Sequence, residues 1–165
     1  MIRAATADDF DIIAAITAHY VEHTAIHFAY QAPTAAELRG QWAGGRHPWL
    51  VFDDGVVRGY AKAGAWRERE AYRWTTELGL YLAPDQRQRG LGTALLDALL
   101  DALIARGFHT AIAGIAPPNP ASVALFERAG FTFIGTFREV GWKHAAWRDV
   151  GFWQRALRPP GTAPA

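Results

Sequence analysis

Thr75 to Phe108 reads TTELGLYLAPDQRQRGLGTALLDALLDALIARGF, and the rest of the 165-residue chain is arranged around it. Leu78, Leu80 and Leu82 alternate, which predicts a strand with one apolar face, stopped at Pro84. A polar turn follows from Asp85 to Gly92. Leu95, Leu96, Leu99, Leu100, Leu103 and Ile104 then recur at helical spacing, and Gly107 supplies a C′ glycine. Gly90 and Gly92 put no side chain between the backbone and an approaching group. Successive amides and a helix N-terminus point one way there, beside arginines, which makes an anion site. A pyrophosphate is the expected anion.

Two familiar glycine loops are excluded. A Walker loop needs Gly-Lys-Ser/Thr, and the chain has no such tripeptide. The dinucleotide fingerprint G-x-G-x-x-G fails at its third glycine, where Leu95 stands. The pattern R/Q-x-x-G-x-G/A fits Arg87-Gln88-Arg89-Gly90-Leu91-Gly92. It resembles the coenzyme A loop of the GNAT superfamily of N-acetyltransferases.

Composition narrows the classes. Half the residues are hydrophobic and 13% aromatic, as in one globular domain with a substantial core. A net charge of +1 implies neither nucleic acid nor an acidic membrane as partner. Without cysteine there is no disulfide, thiolate metal site or cysteine acyl-enzyme. No apolar run approaches a membrane span, and MIRAATADDFD lacks a signal peptide's pattern, so a cytoplasmic protein is expected.

Outside the central stretch, Ile2 to Thr6 predicts a strand, followed by a helix carrying Phe10, Ile12, Ile13, Ile16 and Tyr20 with Asp8 as N-cap. Residues 23 to 31 have no clear period. Thr34-Ala35-Ala36-Glu37 is a capping box for a second helix running to Gly44-Gly45. Pro48 to Phe52 and Val56 to Trp66 predict strands joined at Asp53-Asp54-Gly55, and Tyr72 to Leu82 a third. His109 to Ala116 is a strand, and Asn119-Pro120 opens a helix ending at Gly130. Phe131 to Val140 and Trp147 to Leu157 predict two last strands separated by GWKHAA. The fold class is α+β: a mixed, mostly antiparallel central sheet flanked by helices, with one parallel pair across the central helix. Residues 1–157 are one domain, and 158–165 a Pro-rich tail.

HPWLV, GAWREREAYRWTTE, RQRGLGTALL, NPASVALFERAGF and GWKHAAWRDVGFWQR together resemble the phosphinothricin and methionine sulfoximine N-acetyltransferases over nearly the whole chain. The resemblance implies a splayed parallel pair at an acetyl-CoA site, with the cofactor's pantetheine arm on the strand edge at Leu80, Tyr81 and Leu82. It puts the pyrophosphate on the amides from Gln88 to Thr93, with Asn119 reaching the cofactor. No metal is implied. Glu77 corresponds to the family's catalytic glutamate, which takes the amine's proton directly or through water, and a backbone amide near Leu80 would serve the oxyanion. Catalysis by Glu77 requires partial burial and a raised pKa. Arg67, Arg69 and Tyr72 stand where relatives bind the substrate's acids, and a guanidinium donates two parallel bonds to a carboxylate or phosphinate. A solvated bend in which Glu68 and Glu70 neutralise both arginines is the plainer reading. Phe28 matches an aromatic of the acceptor site.

Two residues depart from the family. Phe126 stands where relatives carry a tyrosine or histidine acid at the cofactor's sulfur, so the thiolate leaves unassisted or with help from elsewhere; a thiol's pKa of ~8.5 permits the first. Gly79 replaces a threonine. His19 and His23 are spaced i, i+4 without a third ligand, which argues against zinc, while His27 and His144 are candidates for lining the acceptor pocket. The acceptor is expected to be a small amino acid or analogue, and the assembly a homodimer. Competing readings are another amine acceptor (a polyamine or protein N-terminus) and a non-catalytic acyl-CoA-binding module.

Overall fold

The computed structural model describes residues 1–43, 45–86 and 90–164. In chain order its elements are β1 (Ile2–Ala4), α1 (Phe10–His23), α2 (Ala35–Trp42), β2 (Trp49–Asp53), β3 (Val57–Ala65), β4 (Thr75–Leu82), α3 (Leu91–Ala105), β5 (Thr110–Ile115), α4 (Pro120–Arg128), β6 (Thr132–Lys143) and β7 (Ala146–Ala156). The strands form one sheet in the order β1-β2-β3-β4-β5-β7-β6. β4 and β5 run parallel with α3 as their crossover, and the other pairings are antiparallel. This is the mixed α+β sheet expected from the sequence.

The sheet separates two apolar layers. On one face, Leu91, Leu95, Leu96, Leu99, Leu100 and Leu103 of α3 pack on Ala61, Ala63, Leu78, Ala111 and Ala113. Each such leucine contributes about 1.5–3 kcal/mol on leaving water, so α3 is held by packing. On the other face, Phe10, Ile13 and Ile16 of α1 and Leu38 of α2 pack on Trp49, Val51 and Tyr60. β4 takes part in both: Leu78, Leu80 and Leu82 meet the α3 layer, and Tyr81 meets the α1 layer.

Several boundaries differ from the sequence reading. Asp8 does not cap α1. A 3-10 turn, Ala7–Asp9, precedes the helix, and the Asp9 carboxylate accepts from Thr6 N (2.7 Å) while bound by Arg3 at 2.7 and 2.8 Å. Those bonds, Arg3 first, hold the Asp9 carboxyl at about 2. β4 begins at Thr75 rather than Tyr72, because Glu70–Tyr72 coils into a second 3-10 turn. The last two strands extend to Lys143 and Ala146, joined by His144 and Ala145 with φ of 50° and 53°. A type I′ two-residue turn needs left-handed φ at both positions, and no Asn-Gly or Asp-Gly announces it here. The capping box at Thr34 and Glu37 forms as expected (2.7 and 3.2 Å). α2 ends at Trp42, while Gly44 lies outside the described residues. Residues 159–164 of the tail are exposed. Among the described residues no helix is long and apolar enough to cross a membrane.

Candidate active site

Glu77 stands on the face of β4 that α3 does not cover, and the backbone around it is bare. Gly64 is its ladder partner on β3, Gly79 is two residues on, and Gly114 lies beside it on β5. A Cβ at Gly114 would stand 3.2 Å from Glu77 Oε1 and 3.1 Å from a Phe152 ring carbon, whereas one at Gly64 would meet nothing within 4 Å. These glycines leave a floor on which the carboxylate can be reached. The Glu77 carboxylate has no hydrogen bond or ion pair among the described residues. Burial raises its pKa above the ordinary 4.5, and the nearby cations Arg67 and Lys62 restrain the rise. A half-buried carboxylate without a fixed partner is suited to accept a proton.

The floor opens into a cleft of about 640 Å³ whose walls include Trp49, Lys62, Tyr81, His27 and Phe28. Tyr81 is stacked on Tyr60 at 5.3 Å and meets Tyr20 at 5.2 Å, which fixes its ring. Burial pushes the Tyr81 phenol up to about 12, so it stays protonated. His27 accepts from Ala29 N (3.1 Å) through Nδ1. Burial, with Lys62 and Lys143 nearby, lowers its pKa below 6.5, so the neutral ring carries its proton on Nε2.

The segment bearing Phe28 is tied to the β6–β7 hairpin. The Lys143 ammonium, on a residue 5% exposed, donates to Val21 O (2.7 Å) and to His27 O. The Tyr30 hydroxyl donates to Trp142 O, and His144 Nε2 meets Thr24 O at 3.0 Å. Phe28 lies so close to Gly141 that a Cβ there would fall 2.3 Å from its ring. His144 therefore braces the wall; of the two histidines singled out from sequence, His27 is the one that lines the cleft.

At the other end, β4 and β5 part. Their pairing stops at Leu78 and Ala113, while β4 runs on to Leu82. Ala83 N donates to Arg58 O, so by the alternation of an antiparallel ladder the main-chain groups of Leu80 and Leu82 face the gap. Those of Tyr81 point into the β3 ladder instead. The Tyr20 hydroxyl already donates to Leu82 O at 2.8 Å. Beyond the gap, Gly90 turns the chain with φ +96° and its carbonyl accepts the Ala94 N–H (2.9 Å). The amides of Leu91, Gly92 and Thr93 precede that first helical bond and have no intrahelical acceptor. Such an N-terminus accepts an anion. A groove of about 630 Å³ runs from Gly90 and Thr93 past Leu125 and Arg128. Arg87, Gln88 and Arg89 lie outside the described residues.

Asn119 caps α4, its Oδ1 accepting from Ser122 N at 3.3 Å. Phe126 is 5% exposed and packs edge-on against Phe131 at 5.1 Å in the α3 layer, while Leu125 and Arg128 of the same helix line the groove. Arg67 lies over Trp66 at 4.7 Å and lines a neighbouring apolar hollow of about 370 Å³ with Phe152. Arg69 and Tyr72 are exposed on the 3-10 turn and line neither hollow. Neither arginine pairs with Glu68 or Glu70 among the described residues. No group of three or more His, Asp or Glu that could hold a metal occurs among them either.

The model of the acetyltransferase (GNAT) family matches residues 12–131. The chain belongs to the GNAT family. This GNAT acetyltransferase is 41% identical over 162 residues to a phosphinothricin N-acetyltransferase of Streptomyces viridochromogenes, covering 96% of this chain and 88% of that one. It is 42% identical over 120 residues to an L-methionine sulfoximine/L-methionine sulfone acetyltransferase of Pseudomonas aeruginosa, covering 72% and 70%. The crystal structure of a GNAT phosphinothricin acetyltransferase from Sinorhizobium meliloti, in complex with acetyl-CoA, superposes with a TM-score of 0.93 at 36% identity, covering 100% of this chain and 92% of that one. Within this GNAT fold the residues that sequence reading missed are Gly64, Gly114, Lys62, Trp49 and Arg128. The first four share the cleft, which appears only once strands are paired in register, while Arg128 lines the separate groove beside Gly90.

Proposed function

We propose that this protein transfers the acetyl group of acetyl-CoA to the α-amine of a small amino acid or analogue of the phosphinothricin or methionine sulfoximine type. The observation that carries the reading is the Glu77 carboxylate, without a hydrogen bond or ion pair among the described residues, on its glycine floor just before β4 and β5 part. Acetyl-CoA brings the thioester acyl group. The Leu91, Gly92 and Thr93 amides, with Arg87, Gln88 and Arg89, receive its pyrophosphate, and the edge at Leu80 and Leu82 that β5 leaves uncovered holds the amide arm. Asn119 offers its remaining side-chain amide to the same arm. Glu77 accepts the proton of the acceptor's ammonium, directly or through water. Phe126 supplies no acid, and the thiolate leaves without one, as a thiol's pKa of ~8.5 allows.

Phe28 closes one wall around the acceptor, and Arg67, beside the hollow and in no ion pair among the described residues, takes an acidic group. Arg69 and Tyr72 reach the acceptor only from the exposed turn. We propose too that the active form is a homodimer, because Phe133, Ile134, Phe137, Trp142 and Trp147 are exposed on the hairpin at the sheet's edge. Light scattering after gel filtration should give twice the chain mass; a single-chain mass would remove the dimer. The activity is tested by thiol release from acetyl-CoA with phosphinothricin and methionine sulfoximine. Release with polyamines alone, or cofactor binding without turnover on a broad amine panel, would overturn the reading.

A further inference from the structure

Lys62 and Lys143 are the only lysines in the chain, and they differ in kind. Lys143 is spent on two carbonyls in the wall. Lys62 lines the Glu77 cleft, with its ammonium 4.7 Å from the centre of the Trp49 ring and 3.5 Å from Gln41 Oε1. Among the described residues it forms no ion pair. Its stem lies across Gly79: a Cβ there would be 3.5 and 3.6 Å from Lys62 Cγ and Cε. The bare residue next along β4 from Glu77 on this face thus gives the lysine its path.

The ladder register places this cation relative to the base. Gly64 pairs with Glu77, while Lys62 stands two residues before Gly64 on β3 and Arg67 follows two residues beyond the strand's end at Ala65. Two cations therefore bracket Glu77 along one strand direction, and both act on its charge. A half-buried ammonium held in no ion pair gains from a ligand that supplies an anionic oxygen at hydrogen-bond distance.

We propose that Lys62 is a specificity-determining residue of the acceptor site: its ammonium takes an anionic oxygen of the acceptor on the side of Glu77 opposite Arg67, which selects amino acids with two acidic groups. This deepens the function proposed above and rests on it. Phosphinothricin has a carboxylate and a phosphinate, one for each cation, with its amine between them near Glu77. Methionine sulfone has one carboxylate and a neutral sulfone, and leaves one cation unmatched.

The test compares kcat/KM for these two acceptors in the parent, Lys62→Met and Lys62→Arg. The parent should prefer phosphinothricin, and Lys62→Met should reduce that preference about tenfold or more, the worth of a charge-assisted bond. The loss should fall on the acceptor's KM while the KM for acetyl-CoA stays put, and Lys62→Arg should restore most of the preference. Amine-reactive labelling read by mass spectrometry gives a second readout that needs no turnover. Phosphinothricin should protect Lys62 more than methionine sulfone does. An unchanged preference in Lys62→Met, with no protection in the parent, overturns the role of Lys62 and leaves the acetyltransferase reading intact if the parent turns over. Protection without any turnover supports Lys62 and overturns that reading. Neither protection nor turnover overturns both.

Discussion

β4 has two faces that work in opposite ways. Toward α3, Leu78 is buried in a close-packed leucine layer, and Leu80 and Leu82, partly buried, pack against it. On the opposite face, Glu77 and Gly79 look onto a cleft kept open by residues that have no side chain, and Tyr81 stands rigid at its wall. The first face secures the strand, and the second spends that security on a partly dehydrated carboxylate. The contrast teaches that stability and chemistry share a strand here because they divide its alternation.

The sharpest break of that contrast is Glu77→Gln. It should lower kcat about 10²–10⁴-fold, the range for losing a general base, in single-turnover assays with acetyl-CoA. The same change should raise Tm at neutral pH. A carboxylate whose folded pKa lies above its unfolded value favours folding only at low pH and opposes it once pH passes both values. Leu99→Ala tests the other face. It should cost about 2–5 kcal/mol in denaturant unfolding, while the surviving folded enzyme keeps its acceptor preference.

Smaller effects sharpen the comparison further. Gly114→Ala puts a methyl between Glu77 and Phe152 and should cut kcat about tenfold by displacing the carboxylate, with little change in Tm if Phe152 gives way. Stopped-flow and thermal melts on one preparation would separate the two. Lys62→Met should act most gently on acidity. The groups acting on Glu77's charge are Arg67 and Lys62, which lower its pKa, with the neutral Tyr81 phenol nearby. Removing one cation moves the acid limb of the kcat/KM profile to higher pH, and an unmoved or lowered limb would contradict this.

The leucine face was legible from sequence because alternation and a 3.6-residue period are local signals, and so were the Thr34–Glu37 box and the Asn119 cap. The cleft face was legible only in part, at Glu77, Phe28, His27 and Tyr81. Gly64 and Gly114 are distant in sequence, and only the register of β3 and β5 against β4 gathers them. Lys62 is one of two lysines in the sequence, yet its place depends on the same register and on the space at Gly79. The His144–Ala145 turn carries no glycine to mark it, so the hairpin that braces Phe28 looked like two shorter strands. Arg69 and Tyr72 sit on a turn that follows no period, and it leaves them facing solvent.

The pH profile of kcat/KM for the parent beside Glu77→Gln tests the central claim most directly. The account predicts a rising limb in the parent set by a carboxylate titrating above the ordinary 4.5, and a low, flat profile across that range in the variant. The same limb at the same pH in Glu77→Gln, with turnover retained, would show that another group takes the proton.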